Sequence, residues 1–287
     1  MTNKTKLKLI SVAAAGAVFA IFGLDNTLTL ADYIVRSDKI QKPVSLVFLS
    51  DIHSQNFRDG GGKLLDMVSS ANPDFLLIGG DFFDKYSKEK EIERTKFLLS
   101  KISEQFDNCY YVLGNHEIDN KAGIDYKQFI SETGIKTFSG ESYELTAKNG
   151  QKILLGGVDY VMCDDGVPED CDALKAKKEL VDKANDSGLF SVLVRHVPMK
   201  TKGDEKIDLI LSGHNHGGLW RFPNTNAGVA GGGTKFFPRY VHGEYKNGNS
   251  TMIVGSGIAT ETYLLPRLYN VPEVVKVTLL PKTNLPY

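Results

Sequence analysis

What most restricts the fold of this 287-residue chain is a repeated pairing, in which a short apolar run ends and a polar cluster rich in histidine or aspartate begins at once. Residues 44–50 lead into Asp51-Ile-His53, 75–78 into Gly79-Gly80-Asp81-Phe82-Phe83-Asp84, and 109–113 into Gly114-Asn115-His116-Glu117. Runs at 190–194 and 207–211 lead into His196 and Gly213-His214-Asn215-His216-Gly217. These runs are short and dominated by aliphatic and aromatic residues, so they read as strands. Groups at the carboxyl ends of neighbouring strands converge in open α/β folds, so residues distant in sequence can surround one cavity. Amphipathic patterns at 63–70 and 88–105 alternate with the first three strands and read as helices.

Past Gly218 the pattern changes. Residues 241–245 and 251–254 resemble antiparallel strands joined through Lys246-Asn247-Gly248-Asn249, and 273–280 alternates like a further strand. Two mixed sheets with outer helices fit this transition better than one parallel sheet. The expected fold class is therefore α/β, with residues 43–287 as one domain and 32–42 as a linker. At 41% hydrophobic residues the chain can bury a substantial core. With 34 basic and 35 acidic side chains, the net charge of -1 gives no electrostatic reason to expect a nucleic-acid partner.

The N-terminus differs in character. Lys4, Lys6 and Lys8 precede an uncharged run, LISVAAAGAVFAIFGL, that ends at Asp25. Sixteen helical residues reach roughly 24 Å against a hydrocarbon thickness of roughly 30 Å. Residues 1–31 are read as a signal anchor or a cleaved signal peptide, with a buried helix as the other alternative. The basic flank favours an inside N-terminus, which implies a membrane partner through this segment and an extracytoplasmic catalytic domain, or secretion after cleavage. Cys109, in an apolar run, reads as a buried thiol, whereas Cys163 and Cys171 bracket an acidic loop and can pair if exported.

Taken one at a time the polar clusters are weak signals. An Asp after two glycines is usually a turn residue, and an Asn-His pair is usually a cap or turn. Together they offer mixed nitrogen and oxygen donors suited to metal ions. Asp81 has two carboxylate oxygens and is the best candidate to bridge two cations. His214 and His216 are spaced to lie on related sides of a loop that Gly213, Gly217 and Gly218 allow to turn closely.

The ordered set Asp51-Ile-His53, Gly80-Asp81-Phe82-Phe83-Asp84, Gly114-Asn115-His116-Glu117, His196 and Gly213-His214-Asn215-His216 resembles the calcineurin-like metallophosphoesterase superfamily over about residues 44–280. The resemblance implies a four-layer α/β/β/α sandwich and a dinuclear metal centre. It implies Asp51, His53, Asp81 and His216 as ligands of a first ion. Asp81, Asn115, His196 and His214 correspond to those of a second. His116 corresponds to a substrate-facing histidine that protonates the leaving oxygen, and Asp84 to the carboxylate that orients it. Two ions, with Mn favoured and Fe, Zn or Co compatible with the donors, would hold a bridging hydroxide against a phosphate ester.

Ser212 to Arg221 and Pro266-Arg267-Leu268-Tyr269-Asn270-Val271-Pro272-Glu273 resemble a membrane-associated bacterial branch that includes phosphodiesterases and hydrolases of phosphorylated lipid precursors. The implied substrate is a phosphodiester or a lipid-linked pyrophosphate. A phosphomonoesterase or protein phosphatase, and a non-catalytic metal-binding scaffold at the membrane, are the alternatives. The oligomeric state is left open. Glu117 is expected to play a local structural role, Arg195 to make a peripheral salt bridge, and His242 to be structural or exposed. Phe236 and Phe237 are expected to pack in the core, with contact to a lipid leaving group as the alternative.

Overall fold

In a computed structural model, the structure describes residues 23–138, 140–160, 172–232, 236–262 and 265–282, with scattered positions before 23. Strands β1 (Thr29–Ser37), β2 (Val44–Leu49), β3 (Phe75–Ile78), β4 (Cys109–Tyr111) and β5 (Lys136–Thr137) belong to a first sheet. Helices α1 (Gly62–Ser70) and α2 (Glu89–Gln105) fall between β2 and β4, as the amphipathic patterns predict, and α3 (Asn115–Ile118) and α4 (Tyr126–Ser131) follow β4. Strands β6 (Ser142–Thr146) and β7 (Lys152–Val158), helix α5 (Asp172–Ser187), and strands β8 (Phe190–Arg195), β9 (Leu209–Ser212), β10 (Gly243–Asn247) and β11 (Ser250–Val254) form the second half. A small hairpin, β12 (Glu261–Thr262) and β13 (Leu265–Pro266), precedes β14 (Glu273–Pro281), which returns to the first sheet.

The first sheet has the order β1-β14-β2-β3-β4-β5 and the second β10-β11-β9-β8-β7-β6. Side chains alternate faces along a strand, and the three apolar clusters follow that period. From β2, Leu46 and Phe48 meet Val192, Val194, Leu209 and Leu211 of the second sheet. Val47 and Leu49 face the other way, toward Leu64, Val68, Leu99 and Ile102 of α1 and α2. On the far side, Leu154, Leu193 and Ile210 pack on Leu180, Val181 and Ala184 of α5. The result is the expected layering of helix, sheet, sheet and helix, with both sheets mixed.

Two expectations are corrected. Residues 32–37, read as linker, belong to β1, which pairs in parallel with β14 from Thr29↔Glu273 to Ser37↔Pro281. The open edge of β14 supplies the ladder partner that the local sequence could not reveal. The membrane contact expected through residues 1–31 is also overturned: among the described residues, no helix is long and apolar enough to cross a membrane. The apolar run ends near Asp25, and the chain then enters the edge of a sheet. Phe19 and Gly23 pack instead on the Leu268-Tyr269 turn, where Tyr269 N–H donates to the Gly23 carbonyl at 2.6 Å. Cys109 is buried and unpaired, as expected, while the Cys163–Cys171 pairing lies outside the described residues.

Candidate metal centre

The sequence places its polar clusters where β2, β3, β4, β8 and β9 end, and the backbone fastens those ends together. Asp51 N–H donates to the Gly80 carbonyl at 3.0 Å, His53 N–H to Asp81 at 2.9 Å, and Gly213 N–H to His196 at 3.0 Å. The candidate ligands Asp51, His53, Asp81, His214 and His216 all adopt left-handed conformations, with φ of 55°, 49°, 54°, 70° and 46°. Non-glycine residues are held in that region only where surrounding structure compels it, and such residues cluster at functional sites. Gly114 shows how tight the compulsion is. A Cβ there would stand 2.1 Å from Asp81 Oδ1.

Three overlapping sets of donor atoms each lie within 4.8 Å: Asp51, His53 and His216; His53, Asp81 and His116; Asp81, His196 and His214. Asp81 belongs to two of them, with Oδ2 3.1 Å from His196 Nε2 and 3.8 Å from His53 Nε2. Asn115 Oδ1 joins the last set, 3.0 Å from His196 Nε2 and 2.9 Å from His214 Nδ1. His216 Nε2 lies 3.1 Å from His53 Nε2 and 3.8 Å from Asp51 Oδ1. All seven expected ligand side chains therefore meet in one place.

The donor chemistry fits cations. His196 Nδ1 sits 2.7 Å from the Gly79 carbonyl and must carry the proton there, since a carbonyl can only accept. Nε2 of the same ring then confronts Asp81 Oδ2, Asn115 Oδ1 and, at 3.1 Å, His214 Nδ1. Electron-rich atoms converge at that spacing only around a proton or a metal ion. A metal-ligating histidine commonly has its other ring nitrogen bonded to a carbonyl, as here.

By the protein's own charges, burial pushes the His196 imidazole down, but Asp81 overcomes this and raises it to about 9. Burial pushes Asp81 up, yet the charge and hydrogen bond of His196 hold its carboxyl well below the usual range. Burial, helped by His196, lowers His214 to about 3, and burial together with His53 lowers His216. Burial raises Asp51. Burial would lower His53, but the Asp84 hydrogen bond, with the charges of Asp81 and Asp51, raises it. The neutral His214 and His216 rings keep lone pairs available, while His196 and His53 hold positive charge in the place of a cation.

Around this set stand the accessory groups. His116 lies at 4.4 Å ring separation from His53, with Nδ1 3.2 Å from Asp84 Oδ2. The same nitrogen is 3.2 Å from Lys85 N–H, and one ring atom cannot donate to the first and accept from the second. A carboxylate can only accept, so Nδ1–H donating to Asp84 is the stronger arrangement. Burial would raise the Asp84 carboxyl, but hydrogen bonds from His116 and His53 hold it far below the usual range.

Glu117 fulfils its expected structural role. Its carboxylate accepts from the N–H groups of Asp81, Phe83 and Gly114 and from Tyr111 Oη–H, at 2.8–3.1 Å. Arg195 does form a salt bridge, but a buried one, to Asp204 at 3.0 Å. His242 pairs with Glu273 at 3.1 Å. Phe236 and Phe237 are corrected: they are 75% and 69% exposed. Phe237 turns at φ 52° beyond the Ala230–Phe236 bridge, and among the described residues no layer covers either ring. Sequence reasoning did not find the work of Arg267 and Asn270, both fully buried beside this centre. A buried Arg in a late motif was the signal available.

Residues 44–218, more than half of the chain, match the sequence profile of the calcineurin-like phosphoesterase family. The chain belongs to that family. Among relatives of this chain, an uncharacterized metallophosphoesterase of Helicobacter pylori strain J99 is 29% identical over 257 residues, which is 86% of this chain and 62% of that protein. The chain thus spans less than two thirds of the Helicobacter relative. An uncharacterized metallophosphoesterase of Aquifex aeolicus is 25% identical over 272 residues, covering 90% of this chain and 94% of its own. The solved NAD nucleotidase of Haemophilus influenzae aligns with a TM-score of 0.49 and 18% identity, over 76% of this chain and 46% of that one. Family membership and the convergent donors together give a metallophosphoesterase-type site with candidate positions for two ions.

Proposed function

We propose that this phosphoesterase hydrolyses phosphodiesters or pyrophosphates that carry an apolar group, with Asp51, His53, Asp81 and His216 holding one ion and Asp81, Asn115, His196 and His214 the other. When bound, two cations supply Lewis-acid activation of water and neutralise charge on the phosphoryl oxygens. Mn is the favoured occupant, with Fe, Zn and Co compatible with the same donors. His116 faces the phosphate and donates its Nε2 proton to the leaving oxygen, while Asp84 holds Nδ1–H and fixes the ring. This pair carries the reading, because a site that merely stored metal would have no use for an oriented histidine beside the ligands.

The exposed aromatics support an apolar substrate. Gly232 lies against the ligand loop, since a Cβ on it would stand 2.5 Å from His214 Nε2. Trp220 and Phe222, directly past that loop, are 41% and 49% exposed. Together with Phe236 and Phe237 they give the rim a surface suited to an isoprenyl, acyl or aromatic group. The Ser212 to Arg221 and Pro266 to Glu273 motifs favour the phosphodiesterase-like bacterial branch.

The test compares the Mn-loaded protein on matched aryl phosphomonoester, aryl phosphodiester and isoprenyl pyrophosphate substrates. Turnover of the diester or pyrophosphate above the monoester supports the reading, whereas monoester preference replaces it with a phosphomonoesterase. Asp81→Asn should lose at least about a hundredfold in kcat/KM and bind less Mn, and His116→Ala should keep both ions and lose turnover. An Asp81→Asn variant with parental rates at equal metal occupancy removes the proposed bridge.

A further inference from the structure

The family profile ends at residue 218, yet the backbones of two first-ion ligands are held by residues beyond it. The Asp51 carbonyl accepts from the N–H groups of Ile258 and Ala259 at 3.2 and 2.8 Å. Arg267 Nε–H in turn donates to the Ala259 carbonyl at 2.6 Å, fixing the turn that holds Asp51. The His216 carbonyl accepts from Asn270 Nδ2 at 2.6 Å and, more weakly, from Arg267 Nη1 at 3.4 Å. Asn270 Nδ2 also reaches the Leu219 carbonyl at 3.2 Å, closing the far side of the same turn.

Both ligands so held are in the left-handed region, and Gly217 between His216 and Leu219 adopts φ 63°. Such a loop needs an outside anchor to keep one geometry. Arg267 and Asn270 are 0% exposed, and Arg267 Nη2 and Asn270 Oδ1 have no hydrogen-bond partner among the described residues. A buried guanidinium is costly, and here its charge faces Asp51, which attracts it. None of the side chains assigned to the second ion alone (Asn115, His196 and His214) has a hydrogen bond to Arg267 or Asn270 among the described residues.

We propose that Arg267 and Asn270 are positioning residues for the first ion alone, clamping the Asp51 and His216 backbones so that this site, and not its neighbour, depends on that pair. The inference rests on the assignment of Asp51, His53 and His216 to one ion. It makes the two sites unequal in their support. The neighbouring site takes its ligands from the 79–117 and 196–214 loops, within the matched family segment, and Gly232, which packs on His214 from beyond that segment, is not part of the Arg267–Asn270 clamp.

Mn binding by calorimetry and Mn electron paramagnetic resonance test this on the full chain, its Arg267→Lys and Asn270→Ser variants, and Lys177→Met as a distant buried-ion-pair control. The parent is expected to bind two Mn ions and show a spin-coupled signal. Each clamp variant should weaken one ion about 10- to 100-fold, the range for outer-shell partners, and leave the other within about twofold. The coupled signal should then give way to that of isolated Mn at one equivalent. Lys177→Met should lower Tm without moving either constant. Equal weakening of both ions, or parental constants in both clamp variants, overturns the proposal while leaving the ligand assignment standing. A parent that binds fewer than two ions overturns that assignment and the proposal with it.

Discussion

Asp84 Oδ2 lies 3.2 Å from His116 Nδ1, and the same oxygen is 3.5 Å from His53 Nδ1. One carboxylate therefore steadies both His116, proposed to face the substrate, and His53, a candidate ligand. The sequence suggested only the first contact. Asp84→Asn keeps the shape and removes the charge. We expect kcat to fall about 10- to 100-fold on substrates with poor leaving groups, within the range that general acid catalysis supplies, and much less on good ones. Rates across a series of leaving-group acidities check this, with bound Mn measured alongside.

Metal affinity should rise with pH. Asp81 raises His196 to about 9, so at neutral pH this ring carries a proton that an incoming cation displaces. Affinity is expected to climb about tenfold per pH unit while that proton is released, and to level off above about pH 9. Calorimetry in buffers of different ionisation heat should count at least about one proton released at pH 7, from His196 and in part from His53, whose imidazole is also raised. Binding that ignores pH between 7 and 9 would contradict the raised His196.

A second pH effect lies away from the centre. The Asp204 carboxylate is buried between Arg195 and Lys177, at 3.0 and 3.2 Å. Burial would raise it, but Arg195 foremost holds it below its ordinary value. A lowered carboxyl stabilises the fold above its unfolded pKa of about 3.9, and the benefit is lost as pH falls through the lower folded value. Asp204→Asn leaves two buried cations unpaired and should cost about 3–5 kcal/mol at pH 7. Urea unfolding should show the gap to the parent closing below about pH 4.

Gly114→Ala tests the close approach of two ligand loops. The new methyl would meet Asp81 Oδ1 at 2.1 Å and Asp81 N at 2.6 Å, and neither can retreat without moving a ligand. Overpacking of this kind costs about 1–3 kcal/mol. A lowered Tm together with loss of bound Mn is expected. An unchanged Mn stoichiometry would show that the loops give way more easily than their hydrogen bonds suggest.

Strand–loop–helix order was legible because burial has a period. Phe75–Ile78 is apolar throughout and Val44–Leu49 is apolar but for Ser45, since both faces of those strands are covered. Strand β1 was not legible: its exposed and half-buried residues alternate weakly, and its partner β14 lies more than 230 residues away in sequence. Phe236 and Phe237 looked like core residues because aromatics usually are, but nothing in their neighbourhood says that no layer passes over them.

By itself the sequence determined which side chains could bind metal and where they sit: Asp51, His53, Asp81, Asn115, His196, His214 and His216 each follow an apolar run whose end becomes a strand end. Residue type and local period suffice for that, because both are properties of a few neighbouring residues. Tertiary structure alone decided that Asp81 reaches both groups of partners, that Asp84 serves two rings, and that Arg267 and Asn270 grip the backbones of Asp51 and His216. Those relations depend on strand order and on left-handed turns imposed by long-range hydrogen bonds, and no local pattern encodes a distance between residues two hundred positions apart.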